Sequence, residues 1–139
     1  MTEEVTAFDL PVTGEIPSEL EGRWLRNGPN PHGTVDPAHH HWFLGDGMVH
    51  GVRLRDGKAS YRNRWVRTAA WQEEKKADKA IFPSFLDPID FTFFGKKLLA
   101  GKNPFPNRAN TALIWHHGKL LALYEGGAPH EIKVPGLET

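Results

Sequence analysis

The sequence predicts an all-β fold of short antiparallel hairpins joined by long loops, with at most a short helix. Three observations carry that prediction. The 139 residues include 14 glycines and 11 prolines, a density of turn formers that suits frequent reversals between short strands. Asp56-Gly57 stands between two alternating segments and is a residue pair favoured by a type I′ hairpin turn, in which both central residues take positive φ. Thr111-Ala112-Leu113-Ile114-Trp115 and Leu120-Leu121-Ala122-Leu123 form a second, strongly apolar pair around His116-His117-Gly118-Lys119.

Residues 1–22 read as an extended arm punctuated by Pro11, Gly14 and Pro17, with room for one helical turn at Ser18-Glu19-Leu20-Glu21-Gly22. Arg23-Trp24-Leu25-Arg26 alternates as a strand does, and Asn27 to Asp36 reads as an irregular Pro/Gly/Asn loop. His41 to Met48 predicts a hairpin corner. A type II′ turn at Gly45-Asp46 sets His41 opposite His50, and a type I′ turn at Asp46-Gly47 sets Phe43 there; the sequence leaves both open. The Asp56-Gly57 turn places Leu54 across from Ala59 and Val52 across from Tyr61 on one apolar face, with Arg53 and Ser60 on the other. That strand runs on through Trp65-Val66.

Trp71 to Ala80 reads as a short exposed helix or an ordered loop. Residues 81–106 are apolar without strand or helix periodicity and are broken by Pro83, Pro88, Pro104 and Pro106. The last hairpin, apolar on both faces, belongs inside a core. Glu131-Ile132-Lys133-Val134 has no predicted partner and leaves an open edge. The chain thus divides into an arm (1–22), first hairpins (23–69), a loop or membrane-patch segment (70–108), and a buried hairpin with a truncated end (109–139). No repeat is visible at the sequence level, although similar hairpin spacing admits blade-like units.

Lys+Arg and Asp+Glu number 17 each, so the formal charge is zero and nothing argues for nucleic acid or for strong electrostatic capture by a membrane. Cysteine is absent, which excludes disulfides and thiolate chemistry. The start Met1-Thr2-Glu3-Glu4 lacks the apolar core of a signal peptide, and no apolar run has the length of a membrane span. A cytoplasmic location is the expectation, with peripheral membrane contact discussed below. The run His39-His40-His41, with His50, admits a metal site on alternating strand positions. A polar loop edge plus one packed histidine is favoured, because no group that would orient the rings is visible. Trp24, Trp42, Trp65 and Trp115 are expected to be packing residues.

Several segments resemble, in order and at matching intervals, the N-terminal part of the carotenoid cleavage oxygenases (the carotenoid oxygenase and lignostilbene dioxygenase family). They are Gly14-Glu15-Ile16-Pro17, Gly22 to Pro31, His41-Trp42-Phe43-Leu44-Gly45-Asp46-Gly47-Met48-Val49-His50, Gly51-Val52-Arg53, Asp56-Gly57-Lys58-Ala59, and Ala109-Asn110-Thr111 through Gly126-Gly127. Residues 70–105 match poorly. The resemblance implies the N-terminal blades of a seven-bladed β-propeller, incomplete in this chain. It also implies a non-haem Fe(II) dioxygenase that uses O2 to cleave a conjugated C=C bond of a carotenoid or apocarotenoid into two carbonyl products. Four histidines on the propeller axis hold the iron in that family, the first usually in an Ala-His-Pro context downstream of Thr139. No metal ligand is therefore expected here. The chain reads as an N-terminal fragment or truncated gene product, inactive alone, whose partner is the missing C-terminal part of the same propeller. The alternatives are a stilbene-cleaving member, or a non-catalytic β-domain remnant acting in binding or assembly.

The resemblance also singles out residues. Glu125, in Leu121-Ala122-Leu123-Tyr124-Glu125, matches a carboxylate that accepts a hydrogen bond from an iron-bound histidine. Thr111 matches a residue beside an open iron position, and stands equally well as an ordinary β-branched strand residue. To share a metal centre the two must lie on one face. A three-residue loop with a left-handed Gly118 does that and a two-residue turn at His117-Gly118 does not, so the three-residue loop is predicted. Phe82, Phe85, Phe91, Phe93, Phe94, Leu98 and Leu99 correspond to an apolar patch that meets membrane and admits a lipophilic polyene substrate, with Lys96-Lys97 among the headgroups. Core packing beneath a long loop is the competing reading. Tyr124 stands where stilbene-cleaving relatives tend to carry Lys, which inclines the substrate towards carotenoids.

Overall fold

The computed structural model describes residues 1, 3–31, 41–83 and 87–139. His39, His40 and Phe85 lie outside the described residues. Two antiparallel sheets form the body of the chain. The first contains β1 (Thr6–Ala7), β2 (Gly22–Asn30), β3 (Asp46–Arg55) and β4 (Lys58–Trp65) in the order β1-β4-β3-β2; the second contains β5 (Ala112–His116), β6 (Lys119–Leu123) and β7 (His130–Ile132) in that order. Between them in sequence lie α1 (Ala69–Ala77) and α2 (Phe91–Leu99).

The β3–β4 hairpin has the expected register. Asp56 and Gly57 take φ of 50° and 70°, with Leu54 opposite Ala59 and Val52 opposite Tyr61. The extended arm contributes only β1, which pairs Thr6 with Arg62 and Ala7 with Tyr61.

The segment before β3 departs from expectation. Asn27 to Asn30 is not loop but the continuation of β2, paired with β3 from Gly22 opposite Leu54 to Asn30 opposite Asp46. Pro29 is tolerated because β2 is an edge strand and needs no N–H on its outer side. No hairpin corner forms at Gly45-Asp46-Gly47. Instead Trp42–Leu44 makes a 3-10 turn, with the Phe43 N–H donating to His41 Nδ1 at 3.3 Å, and His50 lies between Arg26 and Asn63. The two glycines serve close approach rather than reversal. A Cβ on Gly45 would sit 2.6 Å from Asn30 N, and one on Gly47 would sit 2.1 Å from the Ala109 carbonyl oxygen.

Both helices carry side-chain caps. The Thr68 hydroxyl accepts from Trp71 N at 3.1 Å, and Asp90 Oδ1 accepts from Thr92 N at 2.9 Å and Phe93 N at 3.0 Å. Two helices exceed the single short one expected. The prolines that seemed to break residues 81–106 lie outside α2, two before Asp90 and two after Leu99, where they punctuate it. Apolar residues on several faces of α2 blurred its period.

The sheets meet over Val49, Val66, Ala109, Leu120, Ala122, Ile132 and Leu137, with Leu25 and Leu113 at the margin. Residues 108–110 are the seam. Gly47 N donates to the Arg108 carbonyl at 2.8 Å, Asn27 Nδ2 to the Ala109 carbonyl at 2.8 Å, and Asn110 Nδ2 to the carbonyls of Phe43 (2.9 Å) and Gly45 (2.6 Å).

The last hairpin is not enclosed. Leu120 and Ala122 are buried, while Ile114 and Trp115 on the edge strand β5 are exposed. The tail is not unpaired either: β7 sets Ile132 opposite Leu120, and Lys133 N donates to the Glu138 carbonyl at 2.7 Å, closing a turn. Of the four tryptophans read as packing residues, Trp65 is buried, whereas Trp24, Trp42 and Trp115 are exposed.

Candidate functional site

Thr111 and Glu125 lie at the same open end of the β5–β6 hairpin. The ladder runs from Ala112 opposite Leu123 to His116 opposite Lys119, and His117 and Gly118 take φ of 50° and 75°. The turn is therefore the two-residue type I′ form, not the three-residue loop expected. Histidine is among the residues that tolerate positive φ, and this turn matches the right-handed strand twist. Beyond Ala112 the pairing breaks. The Thr111 N–H and hydroxyl both donate to the Leu123 carbonyl, at 3.1 and 2.9 Å. The Gly127 N–H donates to the Tyr124 carbonyl at 3.3 Å, turning the chain towards β7. Glu125 sits in that reversal, off the ladder, so strand alternation no longer decides which way its carboxylate points. Both Thr111 and Glu125 are exposed.

His41 and His50 are not brought together. The His41 ring contacts Trp42 and Phe43, while His50 Nδ1 lies 2.7 Å from the Tyr61 hydroxyl and its Nε2 3.4 Å from Asn30 Nδ2. Burial, helped by Arg26 and the N-terminal amine, holds the His50 pKa below its ordinary value and favours the neutral ring. Among the described residues no group of three or more His, Cys, Asp or Glu side chains is placed to hold a metal ion. These residues by themselves do not fit an iron centre, and no chemical step through iron is derived from them.

The apolar set divides into two. Phe91, Leu98 and Leu99 recur at i, i+7 and i+8 and form an exposed stripe, with Phe91 81% and Leu99 92% accessible. Phe82 is buried and meets Phe93 edge to face at 6.0 Å, and Phe94 meets Phe105 at 5.2 Å. Core packing therefore describes Phe82 and, in part, Phe93 and Phe94, whereas the stripe on α2 remains open. No helix among the described residues is long and apolar enough to cross a membrane.

Lys97 does not join the open face. Its ammonium pairs with Glu73 of α1 and stands 4.2 Å from the centroid of the Phe82 ring, while Lys102 Nζ lies 3.1 Å from Glu73 Oε1. Hydrogen bonds from Lys97 and Lys102 lower the Glu73 pKa. A carboxyl with a depressed folded pKa contributes its stability above the unfolded value and loses it as pH falls through the folded value. Glu73→Gln is thus expected to lower stability at pH 7 by about 1 kcal/mol or less, since the pair is partly solvated. The gap between variant and parent should close in acid. Urea titrations of both from pH 7 to pH 3 measure it, and a gap independent of pH would refute the pairing.

A buried ionic triad was missed in the sequence. Arg108 Nη1 donates to Asp46 Oδ1 at 2.9 Å and to Glu74 Oε2 at 2.7 Å, with all three side chains almost fully buried. Glu74 Oε1 also accepts from Ile81 N at 3.1 Å and Phe82 N at 3.2 Å. Burial opposes the charge on Arg108, and the two carboxylates more than offset it, raising its pKa. Asp46 was read only as a turn residue, and Glu74 lay hidden in a charged run. The triad joins β3, α1 and the seam, and fixes α1 and the start of the α1–α2 connection against the first sheet and the seam.

A four-stranded antiparallel sheet followed by a smaller one packed against it is the arrangement of consecutive propeller blades, so the chain is part of a β-propeller. The chain belongs to the carotenoid oxygenase family: the family model described as RPE65, retinal pigment epithelial membrane protein, matches residues 1–139. It is 49% identical over 137 residues to a carotenoid cleavage oxygenase of Mycobacterium tuberculosis, covering 98% of this chain and 24% of that protein. A solved apocarotenoid oxygenase variant from Synechocystis superposes with a TM-score of 0.80 at 31% identity, covering 99% of this chain and 29% of its own. A lignostilbene dioxygenase from Pseudomonas brassicacearum superposes with a TM-score of 0.79 at 27% identity, covering 98% and 27%. The chain spans about a quarter of the length of the curated relatives it matches.

Proposed function

We propose that the chain supplies the opening quarter of a non-haem Fe(II) dioxygenase propeller that cleaves a conjugated C=C bond of a carotenoid or apocarotenoid into two carbonyl products. The observation that carries this reading is the 49% identity, over nearly the whole chain, to a protein named for carotenoid cleavage. Iron and O2 belong to the complete protein in this reading. Glu125 orients an iron-bound histidine there, and Thr111 borders an open iron position. The exposed stripe Phe91, Leu98 and Leu99 rests on a membrane surface and receives a lipophilic polyene, with peripheral attachment from the cytoplasmic side. A stilbene substrate is the second reading, favoured by the superposition on the lignostilbene dioxygenase.

The test is expression of the reading frame continued past Thr139, with iron analysis and product detection by mass spectrometry. Aldehydes from an apocarotenal, faster than from a stilbene, and one iron per protein are expected. Glu125→Gln in that protein should lose about 10- to 100-fold in iron affinity or turnover. The 139-residue chain alone should bind no stoichiometric iron and turn over nothing. Iron bound by this chain alone, or a continued product that cleaves neither substrate, would sink the reading.

A further inference from the structure

Three arginines share one face of the first sheet, and among the described residues none has a counter-ion. Arg23 on β2 stands directly across from Arg53 on β3, and Arg62 on β4 stands across from Gly51, one diagonal step from Arg53. Like charges placed this way across a sheet repel. All three line a cleft of about 150 Å³, walled in addition by Leu25, Ser60 and Pro135, between the first sheet and the turn that follows β7.

Gly51 lets the floor of the cleft close. A Cβ there would stand 2.8 Å from Leu25 Cδ2 and 3.1 Å from Leu137 Cδ1, so these two apolar side chains pack directly on the β3 backbone beneath the arginines. Among the described residues no carboxylate lines the cleft. Among the described residues none of the three arginines forms an ion pair, and their one side-chain hydrogen bond runs from Arg62 Nη1 to the Pro135 carbonyl at 3.3 Å. Seven other cations, Arg55, Lys58, Arg67, Lys97, Lys102, Arg108 and Lys119, each have an acidic partner, and the remaining ones that are unpaired among the described residues do not gather in this cleft. The chain as a whole is neutral, so the cluster is a local excess rather than general basicity.

We propose that this cleft binds an oxyanion of the phosphate or phosphomonoester class, arriving either as a free small anion or as the exposed headgroup of an anionic lipid. Guanidinium forks present paired N–H donors that match such oxygens, and the Ser60 hydroxyl adds a neutral donor. The walls at Leu25 and Pro135 and the small volume admit a single group, not a polymer. The reading is independent of oxygenase activity and needs no iron.

The test is a ¹H–¹⁵N NMR titration of the 139-residue chain with inorganic phosphate at low ionic strength, beside sedimentation with phosphatidylcholine vesicles with and without phosphatidic acid. Saturable one-to-one binding with shifts at the Gly51, Arg53 and Arg62 amides is expected, weakened at least tenfold by Arg53→Gln. Arg55→Gln, whose side chain pairs with exposed Asp56, should leave binding unchanged. If Arg53→Gln loses its fold by circular dichroism, Arg23→Gln on the exposed edge strand carries the same expectation. Saturation by free phosphate assigns a small anion. Vesicle binding that needs phosphatidic acid and is lost in Arg53→Gln, without saturation by free phosphate, assigns a headgroup. Absence of both, or binding indifferent to the arginine variants, overturns the proposal.

Discussion

Arg108→Met is expected to destabilise the chain by about 3–5 kcal/mol, because it leaves two buried carboxylates facing each other without their cation. Asp46 and Glu74 are almost wholly inaccessible, and both are held by the same guanidinium nitrogen. A second arm separates lost packing from lost charge balance. Arg108→Met combined with Asp46→Asn and Glu74→Gln removes all three charges, and should recover much of the loss. Urea midpoints of the parent and both variants at pH 7 read both effects. A loss under 1 kcal/mol in the single variant would mean that the triad is not closed in solution.

Gly47→Ala is expected to be comparably damaging by a different route. The new methyl would stand 2.1 Å from the Ala109 carbonyl oxygen, 2.8 Å from Ala109 C and 2.9 Å from the Arg108 carbonyl oxygen. All three are backbone atoms of the seam, so no rotamer change relieves the clash. Overpacking of this kind costs about 1–3 kcal/mol, and more where backbone must move. The Gly47 N–H also donates to the Arg108 carbonyl at 2.8 Å, so opening the seam loses that bond as well. Gly28→Ala, with nothing within 4 Å of its added Cβ, is the control and should change stability little. Equal midpoints for the two variants would overturn this account.

The comparison of sequence with structure divides by the range of the forces involved. The β3–β4 hairpin was legible to the residue, because a type I′ turn and a period of two are local properties. β6 was legible as an unbroken apolar run, which is also a local property. The β2–β3 pairing was not, because its two strands are brought together across residues that are distant in sequence, and no local pattern encodes that register. Gly45-Asp46-Gly47 looked like a corner because a glycine chosen for positive φ and one chosen for close approach look alike. The β5–β6 turn was misjudged because a shared metal centre was allowed to outweigh local turn chemistry, which favours two residues at His117-Gly118. Glu125 and Thr111 were legible only as neighbours at one hairpin end, and their positions follow from where the ladder stops. The triad was illegible because Asp46, Glu74 and Arg108 carry no mark of burial in isolation.

The seam joins points far apart in the chain. The Arg108–Asp46 contact spans 62 residues and the Asn110–Gly45 contact 65. Closing such a loop is an entropic cost that depends only weakly on its length, roughly 0.6 kcal/mol for each doubling. The stretch around α2 can therefore lengthen or shorten at little thermodynamic expense while the seam stays clasped. What such changes alter is tempo, since a fold that must wait for distant partners to meet is slow to form. α2 is thus free to be remodelled for whatever surface it meets, while α1, held through Glu74, and the two sheets need not change.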